Sequence, residues 1–265
     1  DSGFNWENPY PLNLEYLTHG SPYGKIVEWK DGSLLMGIYG NPIREILGEE
    51  QCASLDRTTN CAYLVRSQDD GKTWESPALI GTGLNETGLL ALPDGDLLAV
   101  LRSEKEGALF SKRSTDGGFT WSEPVQITNA TQHPADLLLL GNDSILLTYG
   151  NRNEDTYRIE GRISQDGGQS WLDILLVFSG KLNGYDPSGA YWAEFGYPSS
   201  TLCPAVHRGA GITMYYVHPA FPKTTDWSKK GCPQAYSSSG YMAVAVLWDE
   251  DEIVQAVQKI MKSTA

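Results

Sequence analysis

The chain has 265 residues, 40% hydrophobic and 20% charged, a globular composition long enough to bury a sizeable core. Its 20 basic against 33 acidic side chains give a net charge of −13, which excludes binding to nucleic acid or anionic membrane through a basic surface. A few arginines in one cleft would still suffice for an anionic small molecule, and no apolar run is long enough for a transmembrane helix.

The first residues, Asp1-Ser-Gly-Phe, carry neither an initiator Met nor a signal pattern and read as a processed or trimmed end. Ile26 to Met36 is an apolar run, an Asp31-Gly32 turn and a second apolar run, a hairpin signature. A polar stretch with Cys52, Asp56 and Cys61 follows, then the octet Ser67-Gln-Asp-Asp-Gly-Lys-Thr-Trp74. The same order recurs with a hairpin at Asp94-Gly95 and an octet from Ser114 to Trp121. A third copy has Asn142-Asp143 at the turn and an octet from Ser164 to Trp171. A degenerate fourth hairpin turns at Arg208-Gly209. The octets are spaced by 47 and 50 residues, and their pattern Ser-x-Asp-x-Gly-x-Thr/Ser-Trp is that of a structured turn. Its Asp accepts backbone N–H bonds, its Gly takes positive φ, and its Trp packs under the loop.

Four antiparallel strands per repeat of about 45 residues predict an all-β propeller. The expected blades span 20–80, 84–127, 133–178 and 195–250 in one domain over residues 1–250. The helical pattern in 251–265 reads as a tail on the outside. The 28 glycines, 8 Trp and 14 Tyr suit tight turns with aromatics left for ligand contact.

Four cysteines allow three pairings, and the economical one joins Cys52 to Cys61 and Cys203 to Cys232. Sequons stand at Asn85, Asn129 and Asn142. Together they point to a secreted or lumenal protein. There is no Cys-x-x-Cys and no nucleotide loop, so neither a metal nor a cofactor is expected.

The three octets resemble the Asp box, or BNR repeat, of the sialidase-like superfamily. The resemblance runs from about residue 20 to 250. Sialidases of this kind are six-bladed, which makes the four blades here resemble the C-terminal four. They hold a substrate carboxylate with three arginines and attack with a Tyr activated by a Glu, while an Asp serves as acid/base. Matched residue by residue, the resemblance assigns the Glu to Glu86 in Asn85-Glu86-Thr87 and an arginine to Arg102. It leaves Arg152 and Arg158 as alternatives for the next arginine, and assigns the nucleophile to Tyr197 in Gly-Tyr197-Pro-Ser-Ser. His133, opening the inner strand of its blade, is a further candidate for ligand contact.

The family's Arg-Ile-Pro motif is absent; Ser21-Pro22-Tyr23-Gly24-Lys25 stands in the aligned place. Asp56 is superficially placed to be the acid, but blade order assigns the acid to a blade preceding those seen here. The implied activity is hydrolysis of a terminal, anionic sugar, with a glycan as partner and a further segment or chain completing the propeller. The alternative is a propeller that binds carbohydrate without cleaving it.

Overall fold

The computed structural model describes residues 5, 12, 14–43, 59–153, 158–178, 194–218 and 242–264. Among the described residues, fifteen strands form four antiparallel sheets, arranged as the blades of a propeller. The first blade is β1 (Ser21–Glu28), β2 (Leu34–Gly40), β3 (Cys61–Ser67) and β4 (Glu75–Thr82). The second is β5 (Leu84–Ala91), β6 (Leu97–Ser103), β7 (Leu109–Ser114) and β8 (Val125–Gln126). The third is β9 (Gln132–Leu139), β10 (Ile145–Asn151), β11 (Arg158–Ser164) and β12 (Leu172–Phe178). The fourth is β13 (Glu194–Leu202), β14 (Ala210–His218) and β15 (Met242–Asp249). Each sheet follows chain order, and the inner strands β1, β5, β9 and β13 pack in succession.

The hairpin turns follow one rule. Asp31, Asp94 and Asn142 each accept, through Oδ1, the backbone N–H two residues on, at 2.9, 3.0 and 3.1 Å. The three octets also share one geometry. Asp69, Asp116 and Asp166 each take the backbone N–H of the residue four positions on, at 2.8, 2.9 and 2.8 Å, together with that residue's hydroxyl. The N–H of Thr73, then its hydroxyl, hold the Asp69 carboxyl down to about 2. Trp74 and Trp121 cap their loops by donating from Nε1 to Gly71 O and Gly118 O. All three aspartates are thus committed to their turns.

A further link joins successive blades. Arg66, just before the first octet, donates to Gly117 O in the second octet at 2.6 Å and lies 3.6 Å from Asp31. Arg113 repeats this: it donates to Gly167 O in the third octet at 2.9 Å and pairs with Asp96 and Asp94. Each arginine satisfies a carbonyl of the next blade and a carboxylate of its own hairpin.

The cores lie between the blades. In β6, Leu97, Ala99 and Leu101 face the first blade while Leu98 and Val100 face the third. This two-sided burial explains why the run Leu-Leu-Ala-Val-Leu does not alternate with polar residues. The final helix, α1 (Glu250–Thr264), packs through Ile253 and Val257 into the core shared by the third and fourth blades. Asp249 Oδ1 accepts Asp251 N at 2.8 Å and caps its first turn. No helix among the described residues is long and apolar enough to cross a membrane.

Candidate active site

Each inner strand is irregular at a similar height. The β1–β2 register shifts between Tyr23 and Val27, where Gly24 has φ +78°. In β5 the shift lies between Asn85 and Gly88, and Glu86 has φ +40°. In β13 it lies between Gly196 and Ser199, and Tyr197 has φ +49°. The β9–β10 ladder shifts opposite His133 and Pro134. Bulges re-aim side chains, and positive φ in a non-glycine residue is costly, so two such residues meeting at one point mark a site.

They do meet. The Tyr197 hydroxyl donates to Glu86 Oε1. Arg102 Nη1 lies 3.3 Å from Glu86 Oε2. Glu86 is buried, whereas Tyr197 is 43% exposed, so the phenol is reachable from solvent. Burial, then the hydrogen bond to Glu86, pushes the Tyr197 phenol well above its ordinary range and keeps it protonated at neutral pH. The ring stands edge-on to Tyr23 and stacks on Tyr216, both at 5.7 Å between centroids.

His133 is buried, and its Nδ1 lies 3.0 Å from Arg152 Nη1. Burial, then the charges of Arg102 and Arg152, pull the imidazole down to about 3. The ring is therefore neutral. Since a guanidinium only donates, Nδ1 accepts and the ring proton sits on Nε2. A Cβ on Gly196 would stand 2.8 Å from Arg152 Nη2, so the glycine beside Tyr197 makes room for that guanidinium.

The two arginines that the sequence left as alternatives part company here. Arg152 lies against His133 and the Tyr197 strand. Arg158 is held by Glu160 at 2.7 Å, and Glu160 also accepts from Asn151 and Gln132. Asp56, Cys52 and Cys232 fall outside the described residues. Cys61 opens β3 in the core and Cys203 follows β13. Asn85 is buried beside Glu86 with its amide donating to Glu104 at 3.1 Å, a poor glycan acceptor in the folded chain; Asn129 and Asn142 are exposed. No metal-binding cluster occurs among the described residues.

Sequence reasoning missed Tyr23 and Tyr216 as neighbours of Tyr197. Tyr23 carried a usable signal: it opens an inner strand, as Glu86, His133 and Tyr197 do. Tyr216 carried none, because its position depends on the β13–β14 register.

Comparisons with known proteins agree with this architecture. A sialidase of Micromonospora viridifaciens is 31% identical over 153 residues, 49% of this chain and 23% of that protein. The crystal structure of a protein of unknown function from Dyadobacter fermentans superposes with a TM-score of 0.64 at 21% identity, covering 84% of this chain and 59% of that one. An α-L-arabinanase of Penicillium chrysogenum, complexed with arabinobiose, gives a TM-score of 0.54 at 16% identity, covering 90% and 64%. The chain thus spans about a quarter of the curated sialidase and about three fifths of these structures. The BNR repeat-like domain profile matches residues 1–210, most of the chain and three of its four blades, and with the three octet turns in place the chain belongs to that family.

Proposed function

We propose that this chain carries the nucleophile, its activating base and part of the carboxylate clamp of a sialidase-type glycoside hydrolase acting on a terminal anionic sugar. The observation that carries the reading is the hydrogen bond from the Tyr197 hydroxyl to Glu86. In a sialoside the anomeric carbon bears a carboxylate, which repels an anionic nucleophile. A neutral phenol that gives up its proton during attack avoids that repulsion.

In the first step Tyr197 Oη bonds to the anomeric carbon, its proton passes to Glu86, and the bond to the leaving oxygen breaks. In the second, water attacks the same carbon and the Tyr–sugar bond breaks. Glu86 returns its proton to the phenolate, and the proton of the water goes to solvent. Arg102 and Arg152 supply the charge for the carboxylate, and the Nε2–H of neutral His133 adds a donor without adding charge.

Protonation of a poor leaving group falls to an acid outside the described residues, either Asp56 or a group on a further segment or chain. The reading extends to a secreted or lumenal protein, supported by the exposed sequons at Asn129 and Asn142.

The test compares wild type, Tyr197→Phe and Glu86→Gln on an activated aryl α-sialoside, where little protonation of the leaving group is needed. Loss of roughly 10²–10⁴-fold in kcat for Glu86→Gln supports the assignment. Wild-type binding of sialosides without turnover would instead identify a carbohydrate-binding propeller.

A further inference from the structure

The tripeptide Tyr23-Gly24-Lys25 in the first blade touches all three other inner strands. Tyr23 donates its hydroxyl to Ala135 O in β9 at 2.8 Å and sets its ring edge against Tyr197 in β13. Gly24 lies so close to β5 that a Cβ would stand 2.9 Å from Thr87 O, next to Glu86. Lys25 Nζ lies 2.9 Å from both Asp136 carboxylate oxygens and donates to Leu137 O at 2.9 Å and Ser200 O at 2.7 Å. Asp136 in turn accepts the Ser200 N–H at 2.7 Å. Ser200 continues the network to Thr148 and Thr213, and Trp248 donates to Thr213.

This network is more than core packing. Its three docking points are Ala135 with Asp136, Thr87, and Ser200. They lie within three residues of His133, Glu86 and Tyr197 respectively. Asp136 has its side chain 7% exposed, and leaving such a carboxylate without its cation is strongly destabilising. The Lys25–Asp136 pair therefore fixes how β1, β9 and β13 sit against one another.

We propose that Tyr23, Gly24 and Lys25, with Asp136, form a positioning hub that sets the Tyr197 hydroxyl on Glu86. None of these four groups needs to touch substrate. Lys25 and Asp136 act through the backbone of β13, Tyr23 acts on the ring of Tyr197, and Gly24 acts on the bulge that carries Glu86. Only the kinetic part of the test below rests on the proposed function; the hub itself is read through the ionisation of Tyr197.

The hydroxyl of Tyr197 is faced by Glu86 from β5, Tyr23 from β1, Tyr39 from β2 and Tyr216 from β14. The full chain labelled with ¹³C at tyrosine Cζ reports its protonation, with Tyr197→Phe identifying the resonance. In wild type that resonance is expected to stay at its protonated position through the range where free tyrosine titrates, around 10.0. In Lys25→Met and in Asp136→Asn its midpoint is expected to fall by about one pH unit or more as the Glu86 contact loosens, and Lys25→Arg is expected to restore it in large part.

An unchanged Tyr197 titration in a folded Lys25→Met or Asp136→Asn variant overturns the hub. If neither variant folds, Tyr23→Phe keeps the ring, removes the hydroxyl that bonds Ala135 O and faces Tyr197, and is read the same way. On an aryl sialoside, Lys25→Met is expected to lower kcat about tenfold or more with KM little changed. A wild type that titrates as expected yet hydrolyses nothing overturns the proposed function and leaves the hub standing.

Discussion

His133 offers the sharpest quantitative test, because its environment sets both the sign and the size of an acid effect. Burial first, and then the charges of Arg102 and Arg152, pull its pKa from 6.5 to about 3. The folded chain therefore refuses a proton that the unfolded chain takes up as the pH falls below 6.5. Stability from the neutral ring is fully present above pH 6.5 and declines between there and about pH 3. Each pH unit in that window removes about 1.4 kcal/mol, so acidification from 6.5 to 4.5 costs roughly 2.7 kcal/mol through this residue alone. Other groups titrate over the same range, and His133→Asn isolates the imidazole. Its Oδ1 stands in for Nδ1 as acceptor for Arg152, and it does not protonate. Urea unfolding of both proteins at pH 7, 5.5 and 4.5 gives the difference directly. Wild type should lose about 2–3 kcal/mol more than the variant by pH 4.5. Parallel losses in the two proteins would refute the neutral, acceptor form of His133.

Further predictions concern binding, stability and reactivity. Arg102→Ala should weaken binding of an anionic sugar by about 1.5–3 kcal/mol, whereas Arg158→Ala should leave it nearly unchanged; calorimetric titration distinguishes the two. Arg113→Ala removes the bonds to Gly167 O, Asp94 and Asp96, and should destabilise the chain by ~1–3 kcal/mol in urea. Gly168→Ala puts a Cβ at φ +88° and 2.8 Å from Leu98 Cδ2, and a loss of more than about 1 kcal/mol should appear in the same assay. If the leaving-group acid lies on a further segment or chain, the isolated chain should cleave an activated aryl sialoside at least about 10²-fold faster than a natural sialoside. Equal rates on the two substrates would make Asp56 the acid to mutate.

The propeller was legible because its repeat is written in turn chemistry. Asp or Asn at a hairpin, and Ser, Asp, Gly and Trp in an octet, act locally, so each turn forms from residues a few positions apart. That Glu86 and Tyr197 belong together is implied only by the family resemblance of the residues around them; spacing alone does not bring positions 111 apart into contact. Arg152 and Arg158 stay alternatives in the sequence because what separates them is tertiary: Glu160, two residues along β11, holds Arg158 and is itself anchored by Asn151 and Gln132, whereas Arg152 lies against His133. The blade-to-blade arginines did have one. Arg66 and Arg113 each immediately precede the Ser of an octet, while Ile163 holds that place before the third, and the contrast was visible without a structure. The helix is recognisable from its periodicity, but periodicity alone does not say what its apolar stripe packs against. Only the pairing of β14 and β15 shows that the third and fourth blades leave a core for Ile253 and Val257 to fill.

The forward reach of Arg66 and Arg113 gives the propeller a direction in time. Each arginine binds a carbonyl 51 or 54 residues further along the chain, so neither blade is locked by its own sequence. During synthesis at about 5–20 residues per second, a finished blade waits roughly 2–8 s before its fastening point leaves the ribosome. Through that interval its face toward the next blade lacks this fastening. Nascent chains stalled just short of Gly117 should therefore be cut by protease within the first blade, and chains stalled well beyond it should resist.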